Sequence, residues 1–381
     1  MKKLLLVALL AISSILCGCS ERQQLKSSLR DALKVAAAQQ KAKAEYMIPI
    51  EGKLPKSFKN GAIVTAKPQD WTSGFFPGVM WLLYEHSGDE QLKEYADLFT
   101  RRLEELKDYT GTHDLGFMVF CSYGNAYRLT GAPYYKSIIE QASKSLITRF
   151  NPTVGCIRSW NTGRKENPEL DYMVIIDNMM NLEMLEWCGY HDIARTHADT
   201  TTKNHFREDN STYHVVVYNE LTGEIVKKRT AQGFSDDSAW ARGQAWGLYG
   251  YTMMYRMTGE QRYLEQAVKI AEYILPHLPE DAIPNWDFDA GVQMKDSSAG
   301  AIMASAFIEL YGFTQNKEYL TMAERQLRSL ASDAYLAPLG ENGYFILKHG
   351  VGHLPANTEV DVPLSYGDYY FVEAAMRYLA L

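Results

Sequence analysis

The sequence predicts an all-α protein, an (α/α)6 toroid of six helical hairpins, with a small β-hairpin inserted near 213–229. Three observations predict it. Apolar residues recur at helical spacing almost to Leu381, and no stretch after the first residues reads as an interdomain linker. A helix-end signature also repeats. Tyr127-Arg128-Leu129-Thr130-Gly131 is followed by Tyr134-Tyr135, Tyr255-Arg256-Met257-Thr258-Gly259 by Tyr263-Leu264, and Tyr84-Glu85-His86-Ser87-Gly88 by Gln91-Leu92. Trp187-Cys188-Gly189-Tyr190 and Tyr311-Gly312-Phe313 sit at similar junctions. Each reads as a helix closed by glycine, a tight turn and a new helix. Third, one segment breaks the helical rhythm: Tyr213–Tyr218, Asn219–Glu224 and Ile225–Arg229 read as strand, turn and strand. An insertion of this kind in a helical ring sits on a rim and shapes a site.

Taken in order, Lys2 and Lys3 precede the apolar run Leu4–Leu16, a secretory signal too short to span a bilayer. Leu16-Cys17-Gly18-Cys19 reads as a bacterial lipobox, with cleavage before Cys19 and lipid on its thiol. An ordinary secreted protein with a chance cysteine is the alternative. The expected organisation is a signal peptide at 1–18, a lipidated linker at 19–25 and a single domain at 26–381. Such a protein is held in the bacterial cell envelope, on the periplasmic or surface side, by its lipid alone. About twelve helices are expected, near 26–46, 74–86, 89–107, 114–129, 133–149, 172–187, 191–206, 237–257, 261–277, 297–312, 316–331 and 362–379.

Bulk properties narrow the function. A net charge of −7 disfavours nonspecific binding to nucleic acid. After Cys19 only Cys121, Cys156 and Cys188 remain, with no zinc-like spacing, so free thiols are expected. No metal and no cofactor are expected. There is no HExxH motif, and His349-Gly350-Val351-Gly352-His353 lies in a glycine loop without a nearby acidic companion in sequence. With Lys348, these histidines fit the border of a binding site better than a metal site.

Chemistry concentrates in Gln232-Gly233-Phe234-Ser235-Asp236-Asp237-Ser238-Ala239-Trp240-Ala241-Arg242-Gly243-Gln244-Ala245-Trp246. Ser235 or a neighbouring aspartate can cap a helix beginning near Asp237. Arg242 and Trp246 then share a face, suited to a ligand with a carboxylate and a flat apolar side, such as an acidic sugar. A buried helix with an internal ion pair, Arg242 to Asp236 or Asp237, fits equally well. Asp177 begins the very apolar stretch of a helix, where desolvation raises a carboxyl pKa and suits a proton donor; a capping aspartate is the plain alternative. Asp114 follows His113 beside a helix N-terminus, which favours the anion. Two carboxylates pushed in opposite directions are a pattern of acid/base sites.

Several blocks carry a resemblance. Trp71-Thr72-Ser73-Gly74-Phe75-Phe76-Pro77-Gly78, His113-Asp114-Leu115-Gly116-Phe117, Ile175-Ile176-Asp177-Asn178, the segment above, Asp296-Ser297-Ser298-Ala299 and Tyr366-Gly367-Asp368-Tyr369-Tyr370 occur in this order. From about Trp71 to the C-terminus the chain resembles the unsaturated glucuronyl hydrolases, glycoside hydrolase family 88. The resemblance implies the same toroid and a substrate class: lyase-generated glycosaminoglycan oligosaccharides ending in a 4,5-unsaturated uronic acid. It implies Asp177 as general acid and base and Asp114 as a second catalytic residue beside the sugar, holding ring hydroxyls and stabilising developing positive charge. It also implies substrate contacts from Trp71, His113, Trp160, His214, Gln232, Arg242 and Trp246. Two other readings remain at this stage: an unsaturated rhamnogalacturonyl hydrolase acting on pectin fragments, and a non-catalytic lipoprotein that captures oligosaccharides. Family members that favour sulfated sugars carry serines and a lysine in the loop where this chain has Gly352 and Leu354, which puts sulfate preference in doubt.

Overall fold

The computed structural model describes the backbone of residues 2–161 and 171–381, with side chains from Ser20 onward. The first helix, α1, spans Lys2–Met47 and is followed by a hairpin of β1 (Leu54–Lys59) and β2 (Ala62–Ala66). Then come α2 (Phe75–Ser87), α3 (Glu90–Arg101), a 3-10 turn at Glu104–Asp108 and a π-helical segment at Gly116–Gly124 that runs into α4 (Asn125–Thr130). After these follow α5 (Pro133–Ile147), β3 (Phe150–Asn151), β4 (Cys156–Ile157), β5 (Tyr172–Ile175), a 3-10 segment at Ile176–Asn181, α6 (Leu182–Trp187) and α7 (His191–Asn204). The rest is β6 (Val215–Tyr218), β7 (Ile225–Arg229), α8 (Ala241–Thr258), α9 (Gln261–His277), α10 (Ser297–Thr314), α11 (Lys317–Leu330), β8 (Gly350–His353), β9 (Thr358–Val362) and α12 (Ser365–Leu379).

The helices form two concentric rings. The inner ring runs α2, residues 116–130, residues 176–187, α8, α10, α12 and back to α2. Each inner helix pairs with an outer one: α3, α5, α7, α9, α11 and, across the closure, α1. Composition sorts them. α10 is buried from Ser297 to Ile308 without a break, because small and apolar residues surround the whole helix. The outer α11 buries only a stripe, including Tyr319, Leu320, Met322, Ala323 and Leu327, and keeps its charges outside. The repeated junctions behave as their sequence implies. Gly131 and Gly259 sit at φ 67° and 68°. Their N–H groups return to Tyr127 O and Tyr255 O, each at 2.8 Å. At the Tyr311-Gly312-Phe313 junction the helix instead continues to Thr314, and Gln315 takes the left-handed position.

Other differences have local causes. Residues 172–175 are strand, not the start of a helix. Tyr172 to Ile175 pair antiparallel with Tyr218 to Val215, so the expected hairpin of β6 and β7 becomes a three-stranded sheet. The tip of this sheet is exposed at Leu221, whereas Val215, Val216 and Val217 are fully buried. The helix expected from Asp237 begins at Ala241. Residues 234–239 form a loop, because Asp287 and Asp289 accept the backbone N–H groups of Phe234 and Ala239 at 2.9 and 2.7 Å. Ser235 therefore caps no helix. The hairpins β1–β2 and β8–β9 carried no signal in the reading above.

The polar segment 19–25 is helical, and its end is already docked: Arg22 pairs with Glu324 of α11 at 2.9 Å, and Leu25 is buried. Cys19 and the apolar run before it lie outside the residues whose side chains are described. Among the described residues no helix is long and apolar enough to cross a membrane. Cys121, Cys156 and Cys188 are free thiols, as expected.

Candidate active site

The three-stranded sheet and the inner ring meet at Asp177. β5 carries the chain from the rim inward, and Asp177 follows in the 3-10 segment that leads into α6. The residue is 7 % exposed. Its Oδ2 has no hydrogen-bond partner within the protein. Burial pushes its pKa up to about 7; the Arg242 guanidinium and the Trp246 indole N–H pull the other way, and Asp114 adds to the rise. A carboxyl group in this setting holds a proton near neutral pH and can release it.

His214 faces it. Its Nε2 is 3.9 Å from Asp177 Oδ2. The backbone N–H groups of Ala231 and Gln232 both donate to His214 Nδ1 at 3.1 Å, which fixes the ring proton on Nε2. Burial, with Arg242 next, holds the imidazole well below its usual pKa, so it is a neutral donor aimed at the carboxyl. Trp240 lies along the ring at 4.5 Å and Trp160 meets it edge-on at 6.1 Å. Gln232 is half-buried beside this ring. His353 donates from Nε2 to Ala231 O at 2.9 Å, tying the β8–β9 hairpin to the loop that holds His214.

Arg242 is placed differently from a free fork. It is 1 % exposed. Nη1 bonds to Asp296 Oδ2 at 3.1 Å and to Val351 O, and Nη2 bonds to Gly352 O at 2.7 Å. Its partners are therefore neither Asp236 nor Asp237. Nε alone lacks a partner. The guanidinium lies 4.4 Å from the Trp240 ring and 5.2 Å from the Tyr366 ring. It supplies positive charge beside Asp177 from a fixed position.

Trp246, one turn along α8, packs on Phe117 at 4.9 Å and on Tyr370 at 5.3 Å. Phe117 in turn touches Trp71 at 5.4 Å, and Trp71 lies 4.7 Å from Tyr366, so the aromatic wall is continuous. His113 is buried, with Nδ1 2.8 Å from Asn178 Oδ1 and Nε2 3.1 Å from Asp114 Oδ1. The close approach depends on Gly116. A Cβ there would lie 2.5 Å from Met180 O, so any side chain would separate the two segments. Trp71, His113, Asp114, Trp160, Asp177, His214, Gln232, Arg242 and Trp246 are thus linked by a continuous set of contacts around Asp177. Asp296, Tyr366, Asn178 and Trp240 join them. All four stand inside the quoted motifs without a role assigned there, Trp240 two residues before Arg242. His349 does have an acidic neighbour, Asp361, at 2.6 Å across the hairpin. Lys348 turns away to Asp333 O.

No family model matches the chain. Curated relatives and solved structures do. An unsaturated glucuronyl hydrolase of Formosa agariphila is 42% identical over 390 residues, covering 98% of this chain and 97% of that protein. The chain belongs to the unsaturated glucuronyl hydrolases. An unsaturated chondroitin disaccharide hydrolase of Streptococcus pyogenes serotype M1 is 34% identical, with 81% of each chain covered. Among solved structures, an unsaturated glucuronyl hydrolase specific for heparin superposes with a TM-score of 0.89 at 46% identity, covering 92% of this chain and 97% of that one. The chain is accordingly a glycoside hydrolase with the helical barrel of the unsaturated glucuronyl hydrolases. A purely binding lipoprotein and a pectin-directed rhamnogalacturonyl hydrolase give way to this reading.

Proposed function

We propose that this enzyme removes the 4,5-unsaturated uronic acid from the non-reducing end of glycosaminoglycan fragments by hydrating its enol ether, with Asp177 serving as both acid and base. The observation that carries the reading is the buried Asp177 carboxyl group, its pKa raised by burial to about 7 and its Oδ2 unpaired. Asp177 delivers its proton to C4 of the unsaturated ring. Positive charge develops at C5 and the ring oxygen. Water adds at C5 while the Asp177 carboxylate takes a proton from it. The hemiketal then opens and releases the remaining sugar. One carboxyl group serves both steps, so the separation of two carboxylates does not set the outcome. Asp114 holds ring hydroxyls. The aromatic wall of Trp71, Phe117 and Trp246 packs on the ring, and the Nε of Arg242 draws the substrate carboxylate.

Heparin-derived disaccharides are the proposed preferred substrates, since the structural relative at 46% identity is specific for heparin. Unsulfated ones fit best. A Cβ on Gly352 would lie 2.6 Å from Glu359 Oε2, so an acidic side chain fills the space where the loop could otherwise receive a sulfate. Loss of ultraviolet absorbance as the double bond disappears, followed on unsulfated and sulfated disaccharides from heparin, chondroitin, hyaluronan and pectin, tests both levels. Turnover of the pectin fragment alone would sink the class, and a preference for sulfated over unsulfated heparin disaccharides would sink the finer assignment.

The lipobox carries a separate proposal: Cys19 is lipidated and holds the enzyme in the cell envelope. Cys19→Ser should move the protein from the membrane fraction to the soluble one with its activity intact. Persistent membrane association of that variant would reject the lipid anchor.

A further inference from the structure

Asn178 and Asn181, the buried amides just after Asp177, control a proton that the reaction above does not use. The argument starts from two backbone groups that can bond in only one sense. Gly116 N–H donates to Asn181 Oδ1 at 2.8 Å. The other end of Asn181 is therefore Nδ2, which donates to Asn178 Oδ1 at 2.9 Å. From the opposite side, Ile157 O accepts from Asn178 Nδ2 at 2.9 Å, and Ser159 Oγ accepts from it at 2.8 Å. Asn178 Oδ1 is thus identified as oxygen from both ends of the chain of amides. His113 Nδ1, 2.8 Å away, has to donate to it.

The other ring nitrogen then decides the charge. Nε2 lies 3.1 Å from Asp114 Oδ1. A neutral ring with its hydrogen on Nδ1 would aim a lone pair at an ionised carboxylate, two acceptors in contact on the buried side of the ring. Thr112 Oγ1 occupies the other Asp114 oxygen at 2.5 Å. We propose that His113 and Asp114 hold one proton in common between Nε2 and Oδ1, and that Asn178 and Asn181 are positioning residues that retain it by forbidding the other tautomer of the ring.

The shared proton makes the pair neutral as a unit, whichever atom carries it. A neutral pair does not repel a uronate carboxylate, and it spares Asp177 the extra push that a bare Asp114 charge would exert. Several groups around the ring act on it, and burial, the largest influence, holds His113 below its usual pKa. Burial drives His113 toward neutrality, Asp114 pulls it toward the cation, and Arg149 from the end of α5 opposes the cation. His197 of α7 stands nearby, and burial pushes it down to about 3, so it contributes no charge.

The proposal needs the assignment of Asp177 as acid only for its kinetic readout, and its first test uses no substrate. Full-length enzyme with 15N-labelled histidine, with the His113 signals identified by their loss in His113→Phe, should show Nδ1 protonated from about pH 5 to 8. A neutral His113 with its hydrogen on Nε2 and a bare Nδ1 would overturn the proposal. Asn178→Ser then releases the constraint, because a hydroxyl can donate or accept. In that variant the ring should adopt the Nε2–H tautomer above about pH 6, leaving Asp114 fully charged. The alkaline limb of kcat should move to higher pH by more than about 0.2 unit. A lower Tm with tautomer and limb both unmoved would mark Asn178 as structural and reject the positioning role. Failure of Asp177 as acid would appear separately, as retained turnover in Asp177→Asn.

Discussion

Asp177 and Asp368 are both aspartates sunk into the inner ring, and burial raises the pKa of both, but their partners differ. Asp368 is 1 % exposed and satisfied on every side. Ile346 N and Leu347 N donate to its Oδ1 at 2.9 Å each, and Lys43 Nζ lies 3.3 Å from Oδ2. Lys43 in turn sits 3.7 Å over the Phe345 ring, and burial lowers its ammonium to about 8. Asp177 has Arg242 and His214 near it, yet neither pairs with Oδ2. One carboxylate ties the first helix to the last. The other keeps its proton because no partner replaces the water that its Oδ2 has lost. Similar burial therefore yields a structural staple in one place and an acid in the other, and the partners decide which.

Breaking each aspartate separately tests the comparison. Asp177→Asn should lower kcat by several orders of magnitude while the fold persists, since an amide has no proton to give at this pH. Retention of more than about a tenth of wild-type kcat would remove Asp177 from its role. Stability should respond in a defined direction. The folded-state pKa of about 7 lies above the ordinary 3.8, so the folded state keeps a proton that the unfolded chain releases. That advantage is full below about pH 4 and is lost as pH rises through about 7. Asp177→Asn should therefore melt at the same temperature as wild type or higher above pH 7, and a lower melting temperature there would contradict the unsatisfied state of the carboxyl.

Lys43→Met is the mirror test. It strands Asp368 as an uncompensated buried charge and should cost about 3–5 kcal/mol in unfolding free energy, with kcat of the folded enzyme unchanged. A loss of turnover without a loss of stability would join Asp368 to the chemistry.

Arg242→Lys falls between the two cases, because Arg242 is both a structural ion and the charge nearest the acid. It should lose roughly 1–3 kcal/mol in kcat/KM and also melt lower, since an ammonium cannot reach Asp296 and two carbonyls together. A lower Tm with unchanged kcat/KM would make the arginine structural only. The smallest effect is expected from Trp246→Phe, which keeps packing against Phe117 and Tyr370 but removes an N–H that favours the Asp177 anion. The alkaline limb of its pH–kcat profile should rise by a fraction of a unit from about 7, and a downward move would count against the assignment.

What could be read in the sequence follows from how local each signal is. The outer helices and the glycine junctions are written within a few residues, so α5, α9 and α11 stand close to where spacing places them. β5 was hidden because Tyr172-Met173-Val174-Ile175 is apolar at every position, and such a run fits a helix and a buried strand alike. Its pairing partner, Val215 to Tyr218, lies some forty residues on. The residues that the fold gathers around Asp177 were singled out through ordered motifs, since single aspartates and tryptophans say little alone. The fate of Arg242 was not legible. Its partners Asp296, Val351 and Gly352 are 54, 109 and 110 residues away, and no spacing rule connects them. The helix start at Ala241 was misplaced for the same reason, since Asp287 and Asp289 settle the preceding loop from a distance.

The closure of the inner ring bears on how the protein is made. α12, the last helix, fills the gap between α2 and α10 and also backs onto α1. During synthesis the apolar flanks of α2 and α10 wait uncovered until Ser365–Leu379 has emerged. The seam therefore closes only once α12 has emerged, by contacts between segments far apart in sequence, which slows folding and prolongs the exposure of sticky surface. A chain that stops short of Ser365 leaves an open arc of five inner helices, and its natural fate is to aggregate.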